Sequence, residues 1–557
     1  MIPAHHLGYG CLSLGGNGMK HLTLLCVCMG LLSILSAHDP FDLSWREQFR
    51  PHGDDWQRID QHLRFNNGTE PATLDPQLMT GVPEGRLAIA IFAGLVDLHP
   101  ETLQPVPALA QSWTISEDQQ TYTFVLRPNL QWSDGAPITS TTIIESWQRL
   151  LDPATASEYV YQLFSIEGAR EAYNGERDPS AIGVTAIDEH TLEVRLEQPT
   201  PWFLELCAFP TLFPVPTHVI AEHGNRWTRP EHIVSSGPFL LSEWRPRQRI
   251  VFSRNPHYWD ADFVKLDRIT AYPYDDSNTA LQLFRAGSLE WMPGVPVDQV
   301  EELQHDPDYY AMPYLGVYFY RFNVTKPPLD DARVRQALTK AINRQVITDN
   351  ITRAGEVPVS YWCPPMGDYQ PRGGLEYDRD AAQALLAEAG FPEGEGFPVI
   401  EILYNTSESH KAIAENVAQQ WRRVLGIRAT ARNREWQTYL ADLRNLNYTV
   451  ARSAWIGDYY DPNTFYDCFV SGGGNNRTGW ENEEYDQLLA RSQATVDQAE
   501  RHALFARMEE ILLREEAVIA PIYNYVYQGL LAETVMGFAH NQRDYHPFKY
   551  LWLEPVP

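Results

Sequence analysis

The segment best equipped for chemistry is Arg452-Ser453-Ala454-Trp455-Ile456-Gly457-Asp458-Tyr459-Tyr460-Asp461-Pro462. It sets a carboxylate, Asp458, at the end of an apolar strand-like run among Trp, Gly and Tyr. Partial removal from water makes such a carboxylate a strong partner for an ammonium. The competing assignment is an aspartate that caps a turn or helix, and local sequence by itself favours that one. Other constellations are weaker. Ser471-Gly472-Gly473-Gly474-Asn475-Asn476 has the glycines of a phosphate-cradling loop without the Gly-Lys-Ser/Thr continuation, and reads as a turn-rich connection. No Gly-x-Ser-x-Gly elbow and no paired-histidine helix occurs, so a hydrolase is a remote alternative, and no metal or cofactor is expected.

Positioning Asp458 requires a sheet, and the surrounding pattern supplies one. After Asp330 and Asp331, natural N-caps, Val334, Ala337, Leu338, Ala341, Ile342 and Val346 recur at helical spacing. A strand over Val399 to Tyr404 follows, then a helix with Ile413, Val417, Trp421, Val424 and Leu425 on one face, closed by Gly426. Strand Ile427 to Ala431, a helix around Trp436 to Asn445 and strand Tyr448 to Trp455 complete a strand-helix alternation that predicts a parallel, doubly wound sheet. Ligands of such sheets lie beyond the carboxyl ends of the strands. Two of those ends are Asn405 to His410 and Ile456-Gly457-Asp458. A similar alternation occupies residues 250–295, with strand Arg268 to Tyr272, helix Asn278 to Ala286 and strand Leu289 to Met292. Between about 93 and 215 the chain reads instead as a small α+β domain. Thr121 to Arg127 and Thr191 to Leu196 alternate, Trp132 to Gly135 makes a turn, and one helix covers roughly Thr139 to Leu150. Two α/β lobes facing one another across a cleft is the economical arrangement.

A chain of 557 residues needs more than one hydrophobic core. Its formal charge, 44 minus 72 or −28, repels phosphate backbones and anionic headgroups, so nucleic acid is not an expected partner. Leu22 to Leu35 is apolar and uncharged, follows Lys20, precedes Ser36 and Ala37, and is too short for a membrane span. Residues 1–37 therefore read as a signal peptide. Cys26 and Cys28 lack the small residues of a lipoprotein cleavage box, so a soluble periplasmic product is expected. Cys207, Cys363 and Cys468 remain after export, enough for at most one internal disulfide.

Many short motifs, in one order, carry a family resemblance across nearly all of residues 60–550. They include Asn66-Asn67-Gly68, Leu74-Asp75-Pro76, Gly81-Val82-Pro83-Glu84, Trp132-Ser133-Asp134-Gly135 and Gly237-Pro238-Phe239. Arg254-Asn255-Pro256-His257-Tyr258-Trp259, Asp331-Ala332-Arg333-Val334-Arg335-Gln336-Ala337, Trp455 to Pro462 and Asn475-Asn476-Arg477-Thr478 follow. The chain resembles the solute-binding proteins of peptide/nickel-type ABC importers, and within them the oligopeptide-binding branch. The resemblance implies a type II periplasmic-binding-protein fold, with α/β lobes around a cleft and an inserted α+β domain. On that basis residues 38–92, 216–315 and 526–557 form lobe one, 93–215 the insert, and 316–525 lobe two.

It further implies that Asp458 takes a peptide's N-terminal ammonium. The chain around Ala454, Trp455 and Ile456 would pair with the peptide as a neighbouring strand, and Thr80, Gly81 and Val82 would meet its other edge. Tyr159, His410, Trp436 and Arg452 would also approach the ligand, the basic ones meeting carboxylates. Short peptides and the membrane permease subunits are the implied partners, and a monomer without enzymatic activity is expected. Dipeptides, murein peptides, nickel chelates and oligosaccharides remain as alternative solutes of the same family. Two departures stand out. Enteric relatives carry a disulfide at the positions that are Gly316 and Ile456 here, and a family position near the ligand is Leu443, followed by Arg444. The pairing of Cys363 with Cys468 and the preferred peptide are left open by these departures.

Overall fold

The computed structural model describes residues 41–555. The signal peptide expected over residues 1–37 lies outside the described residues. The chain divides into a unit ending at Leu43 and a unit from Ser44 to Pro557. Residues 41–43 carry no helix or strand, and the fold below is that of the second unit.

In chain order its first elements are strand β1 (His62–Asn66) and helix α1 (Val82–Ile91). Then come β2 (Ala110–Ile115), β3 (Thr121–Leu126), α2 (Ser140–Leu151), β4 (Val184–Asp188) and β5 (Thr191–Arg195). Strands β2 to β5 form a separate antiparallel sheet in the order β2-β3-β5-β4. Thr139 caps α2 through a reciprocal bond with Thr142, and α2 buries Ile143, Trp147, Leu150 and Leu151. The antiparallel pair β6 (Phe239–Arg245) and β7 (Arg249–Arg254) is followed by β8 (Arg268–Tyr272), α3 (Ser277–Arg285) and β9 (Trp291–Pro293).

The second half opens with the long strand β10 (Tyr309–Phe322), then α4 (Ala332–Lys340) and α5 (Arg344–Ile347). It continues as β11 (Ile400–Asn405), α6 (Glu408–Leu425), β12 (Ala429–Arg434), α7 (Trp436–Arg444) and β13 (Val450–Ile456). The long strand β14 (Ile519–Leu531) returns through the middle of the sheet. One eleven-stranded sheet results, ordered β12-β11-β13-β10-β14-β9-β1-β8-β7-β6, with Val357–Pro358 pairing β14 off that path. The boundaries expected after residues 315 and 525 fall inside β10 and β14, and the ladder between these two strands shifts register at Pro313/Val317 and Tyr318/Phe319.

The parallel, doubly wound reading holds for two parts of the sheet and not for its middle. Strands β12, β11 and β13 are parallel, as are β9, β1 and β8. Strand β10 is antiparallel to both β13 and β14, because the chain enters it from one end of the sheet and returns along β14 from the other. The helix expected through Val346 is two helices. The first ends at Lys340, and Asn343 uses its side-chain oxygen to accept from the Val346 N–H, starting α5. The last strand begins at Val450, two residues later than expected, with Leu446 in a left-handed conformation before it.

Helix α6 shows how the sequence pattern becomes packing. Ser407 caps it, Ile413, Val417, Trp421, Val424 and Leu425 are buried, and the Trp421 indole donates to the Leu338 carbonyl at 2.9 Å. Gly426 ends it at φ +72°, and a Cβ there would lie 2.1 Å from the Glu393 carbonyl oxygen. Both the backbone angle and this close approach demand glycine. Gly426→Ala is expected to cost more than about 1 kcal/mol in stability; urea unfolding checks this, and a variant as stable as the parent would refute the closing role of Gly426.

Candidate functional site

Strand β13 is the base of the site. On one side it pairs with β10 along its whole length, from Val450 opposite Phe322 to Ile456 opposite Gly316. On the other it meets β11 only at Val450 and Ala451. From Arg452 to Ile456 that edge therefore has no ladder partner, and it opens onto a cavity of about 440 Å³. Across the cavity the chain enters α1 through Gly81, whose backbone is extended at φ −130°, ψ 157°. A Cβ at Gly81 would lie 2.6 Å from the Trp436 ring, so the absence of a side chain lets Trp436 close over this segment. The Trp436 indole donates to Glu84 at 3.0 Å, and Glu84 also accepts from the Ala72 N–H. Burial raises the Glu84 carboxyl above its ordinary pKa.

Asp458 stands two residues beyond the end of β13 and is 7% exposed. Its side chain accepts from the Gln162 amide at 3.2 Å, its N–H donates to Thr464 Oγ1 at 2.9 Å, and its carbonyl accepts from Arg543. Burial pushes the carboxyl up to about 7, against the opposing influence of Arg543 and the Gln162 hydrogen bond. Among the described residues no cation forms an ion pair with this carboxylate. Nearby, Asp461 makes the local turn bond, accepting from the Asn463 N–H at 2.8 Å, and is gripped at both oxygens by Arg501. Local sequence favoured a turn or helix-capping aspartate at Asp458, and its side chain accepts no backbone N–H of the next helix, whose N-cap is Pro462.

Along β13 alternate side chains face opposite ways. Arg452 lies over the Tyr318 ring at 4.9 Å and donates to Asn405 at 3.0 Å and to the Tyr525 hydroxyl at 2.6 Å. His410, near it, is held well below its usual pKa by burial and then by the Arg452 charge, and its Nδ1 is buried without a partner. Trp455 faces the other way, donates to the Thr464 carbonyl at 2.7 Å and stacks on Tyr159 at 6.3 Å. Thr80, Gly81, Val82, Tyr159, His410, Trp436, Arg452, Ala454, Trp455, Ile456 and Asp458 all line the one cavity.

Several wall residues escaped sequence reasoning. Gln162 and Arg543 reach Asp458 from positions 296 and 85 residues away. Arg321 and Arg477 line the cavity from β10 and from the turn after the Gly472-Gly473-Gly474 run, and Arg477 pairs with Glu158. Arg477 lies within the Asn475-Asn476-Arg477-Thr478 motif, but no local pattern marks Gln162, Arg321 or Arg543, since contacts between distant segments create their roles. The Arg86–Asp544 pair, at 2.8 Å and nearly water-free, also lies in the wall. Among the described residues no group of three His, Cys, Asp or Glu side chains could hold a metal ion, and no helix is long and apolar enough to cross a membrane. Cys207, Cys363 and Cys468 are buried free thiols. Gly316 and Ile456 are direct partners across the β10–β13 ladder.

Comparison with known proteins agrees with this architecture. The family model for bacterial extracellular solute-binding proteins, family 5, matches residues 104–477. The periplasmic oligopeptide-binding protein of Salmonella typhimurium is 34% identical over 490 residues, covering 86% of this chain and 90% of its own. The Haemophilus influenzae oligopeptide-binding protein, solved in complex with RPPGFSPFR, is 32% identical, with a TM-score of 0.85 over 89% of this chain and 99% of its own. The Escherichia coli murein tripeptide-binding protein, 33% identical over 89% of this chain, superposes at 0.85 over 99% of its own chain. Its unliganded open form superposes at only 0.60 over 97% of its chain, so the present arrangement differs from that open form. The fold, the cleft and these matches over most of the chain lead to one assignment: the protein belongs to the bacterial extracellular solute-binding proteins of family 5.

Proposed function

We propose that the protein is a periplasmic receptor of an ABC importer that captures short peptides and delivers them, unaltered, to a membrane permease. The observation that carries this reading is a buried carboxylate without an ion-pair partner, Asp458, standing at the end of the unpaired edge of β13. A peptide running antiparallel to β13 satisfies its own backbone groups on that edge whatever its side chains. Its N-terminal ammonium meets Asp458 and sets the register, Thr80 to Val82 approach its far side, and Arg452 and His410 lie where a carboxylate can be received. Relatives that bind oligopeptides, one of them solved with a nonapeptide, support the ligand class.

The receptor works as a monomer of two lobes and an insert. Residues 44–92, 216–315 and 526–555 form one lobe, 316–525 the other, and 93–215 the insert. The strands β10 and β14 pass between the lobes, and their register shifts there supply the bend. A ligand touching both walls favours the closed arrangement because only there does it gain all its contacts.

Asp458→Asn is expected to weaken binding of a free tripeptide on the order of a hundredfold, measured by titration calorimetry. N-acetylation of the peptide should cost the parent a similar factor. Equal affinities for free and acetylated peptides would return the cleft to another solute. Because burial raises the Asp458 carboxyl, its ionisation opposes folding, so the unliganded parent loses stability as pH rises from about 4 through about 7. Unliganded Asp458→Asn should therefore melt no lower than the parent at pH 8, and a clear drop would instead assign Asp458 a structural role.

The pH profile of binding follows from the same group. Ion pairing needs Asp458 ionised and the peptide amine protonated. Affinity should fall by up to about tenfold per unit below pH 7, and fall again above pH ~8 as the amine deprotonates. Acetylated peptides should show neither slope, and a flat profile for free peptides would contradict the ion pair.

A further inference from the structure

The charges in the cavity wall leave one group that a simple peptide does not answer. Six basic side chains line the cavity: Arg86, Arg321, His410, Arg452, Arg477 and Arg543. Three are matched by acids, Arg86 by Asp544, Arg477 by Glu158 and Arg543 by Glu205. His410 is neutral, as its lowered pKa requires. Among the described residues Arg321 and Arg452 form no ion pair, and Asp458 is the unmatched acid. A peptide with free ends supplies one ammonium for Asp458 and one terminal carboxylate, which Arg452 can take. Arg321 is left over.

Its setting is that of a built anion site. Arg321 is 4% exposed, so its guanidinium is charged in a nearly dry place. Its Nε donates to Ser453 Oγ at 2.7 Å and its Nη1 to the Asn475 carbonyl at 3.4 Å, both uncharged acceptors. The Glu158 carboxylate, which also belongs to this wall, is taken by Arg477 and, at 3.2 Å, by Arg444. A solvated surface arginine would need no explanation, but a buried and unmatched one in a chain of net charge −28 does. The Ser453 bond places the guanidinium on the Trp455 face of β13, opposite the face that carries Arg452.

We propose that Arg321, with Ser453 and Asn475, forms a side-chain subsite that selects an acidic residue at the second position of the bound peptide. This rests on the peptide reading above. With the ammonium at Asp458, the first ligand residue lies opposite Ile456 and the second opposite Trp455. Cross-strand neighbours point to the same face, so the second side chain enters the Arg321 side of the cavity.

Titration calorimetry at pH 7.5 with Ala-Glu-Ala, Ala-Gln-Ala, Ala-Lys-Ala and Ala-Ala-Glu tests the proposal. Ala-Glu-Ala should bind about tenfold or more tightly than Ala-Gln-Ala, because a charge-assisted bond replaces a neutral one. Ala-Lys-Ala should be the weakest, and Ala-Ala-Glu should lose the gain. In Arg321→Gln the ratio between Ala-Glu-Ala and Ala-Gln-Ala should collapse to within about twofold. The panel on the parent protein stands without the variant should that fail to fold. Tripeptides that all bind with equal affinity would overturn the acidic subsite while leaving the peptide receptor intact, as would an equal gain for Ala-Ala-Glu. Failure of every peptide to bind would overturn both.

Discussion

Three ionisable groups taken out of water without a counter-charge, Asp458, Arg452 and Arg321, are the constraint around which the cleft is organised. Burying a lone ion costs several kcal/mol even after local relaxation. Neutral dipoles offset part of this cost: Gln162 for Asp458, Asn405 and Tyr525 for Arg452, Ser453 for Arg321. These partners hold the charges in place without neutralising them. The remainder has to be offset by the rest of the fold, and on the proposed reading a ligand of opposite charge pattern would recover it.

The sheet makes that placement possible. Strand β13 is anchored along one side by seven residue pairs with β10, and β10 in turn lies against β14. Its other side is free because β11 leaves the ladder after Leu403, two residues before it ends and the chain turns into the Ser407 cap of α6. The same departure carries Asn405 and His410 to the cavity. A strand fixed on one side and bare on the other can present charged side chains on both faces and backbone groups on its edge. An exposed bare edge invites aggregation, whereas this one faces the walls of a cleft.

Much of the scaffold was legible in the sequence because its signals are local. The helical stripe ending at Gly426, the capping Asp331 and the alternation of Thr121 to Leu126 all became the elements that the period implied. The break at Asn343 was missed because apolar spacing continues across it, while a side-chain hydrogen bond decided the local outcome. In the site, the wall positions along β13 followed from the resemblance and the strand-end argument. Asp458 itself was ambiguous, because a turn or capping aspartate and a cavity-lining one look alike in sequence; its bond to Gln162, 296 residues away, is visible only in the fold. Arg321 and Gln162 carried no local signal at all. Arg321 sits in an apolar β10 run, where a single charge shows its significance only once its neighbours are known to be uncharged.

Closure and charge recognition are coupled through the same groups. The contacts that bridge the cleft are mostly polar and small: Trp436 to Glu84, Gln437 to the Pro71 carbonyl, Glu408 to Ser277 and Asn278, and Arg444 to Glu158. Such hydrogen bonds and exposed pairs contribute about 1 kcal/mol or less each. Aromatic contacts, Tyr159 on Trp455 and Trp202 on Tyr459, add a little more. Against them stands the cost of burying Asp458, Arg452 and Arg321 without counter-charges. If the cleft takes a peptide as proposed, a closed arrangement without ligand would be held by weak bonds and opposed by bare charge, so ligand charge would govern the balance. A solute answering all three groups would remove the opposing term and favour closure; one leaving a group bare would keep part of it. Selectivity for the charge pattern of the ligand would then be expressed as a difference in closure, with no need for close complementarity to each side chain.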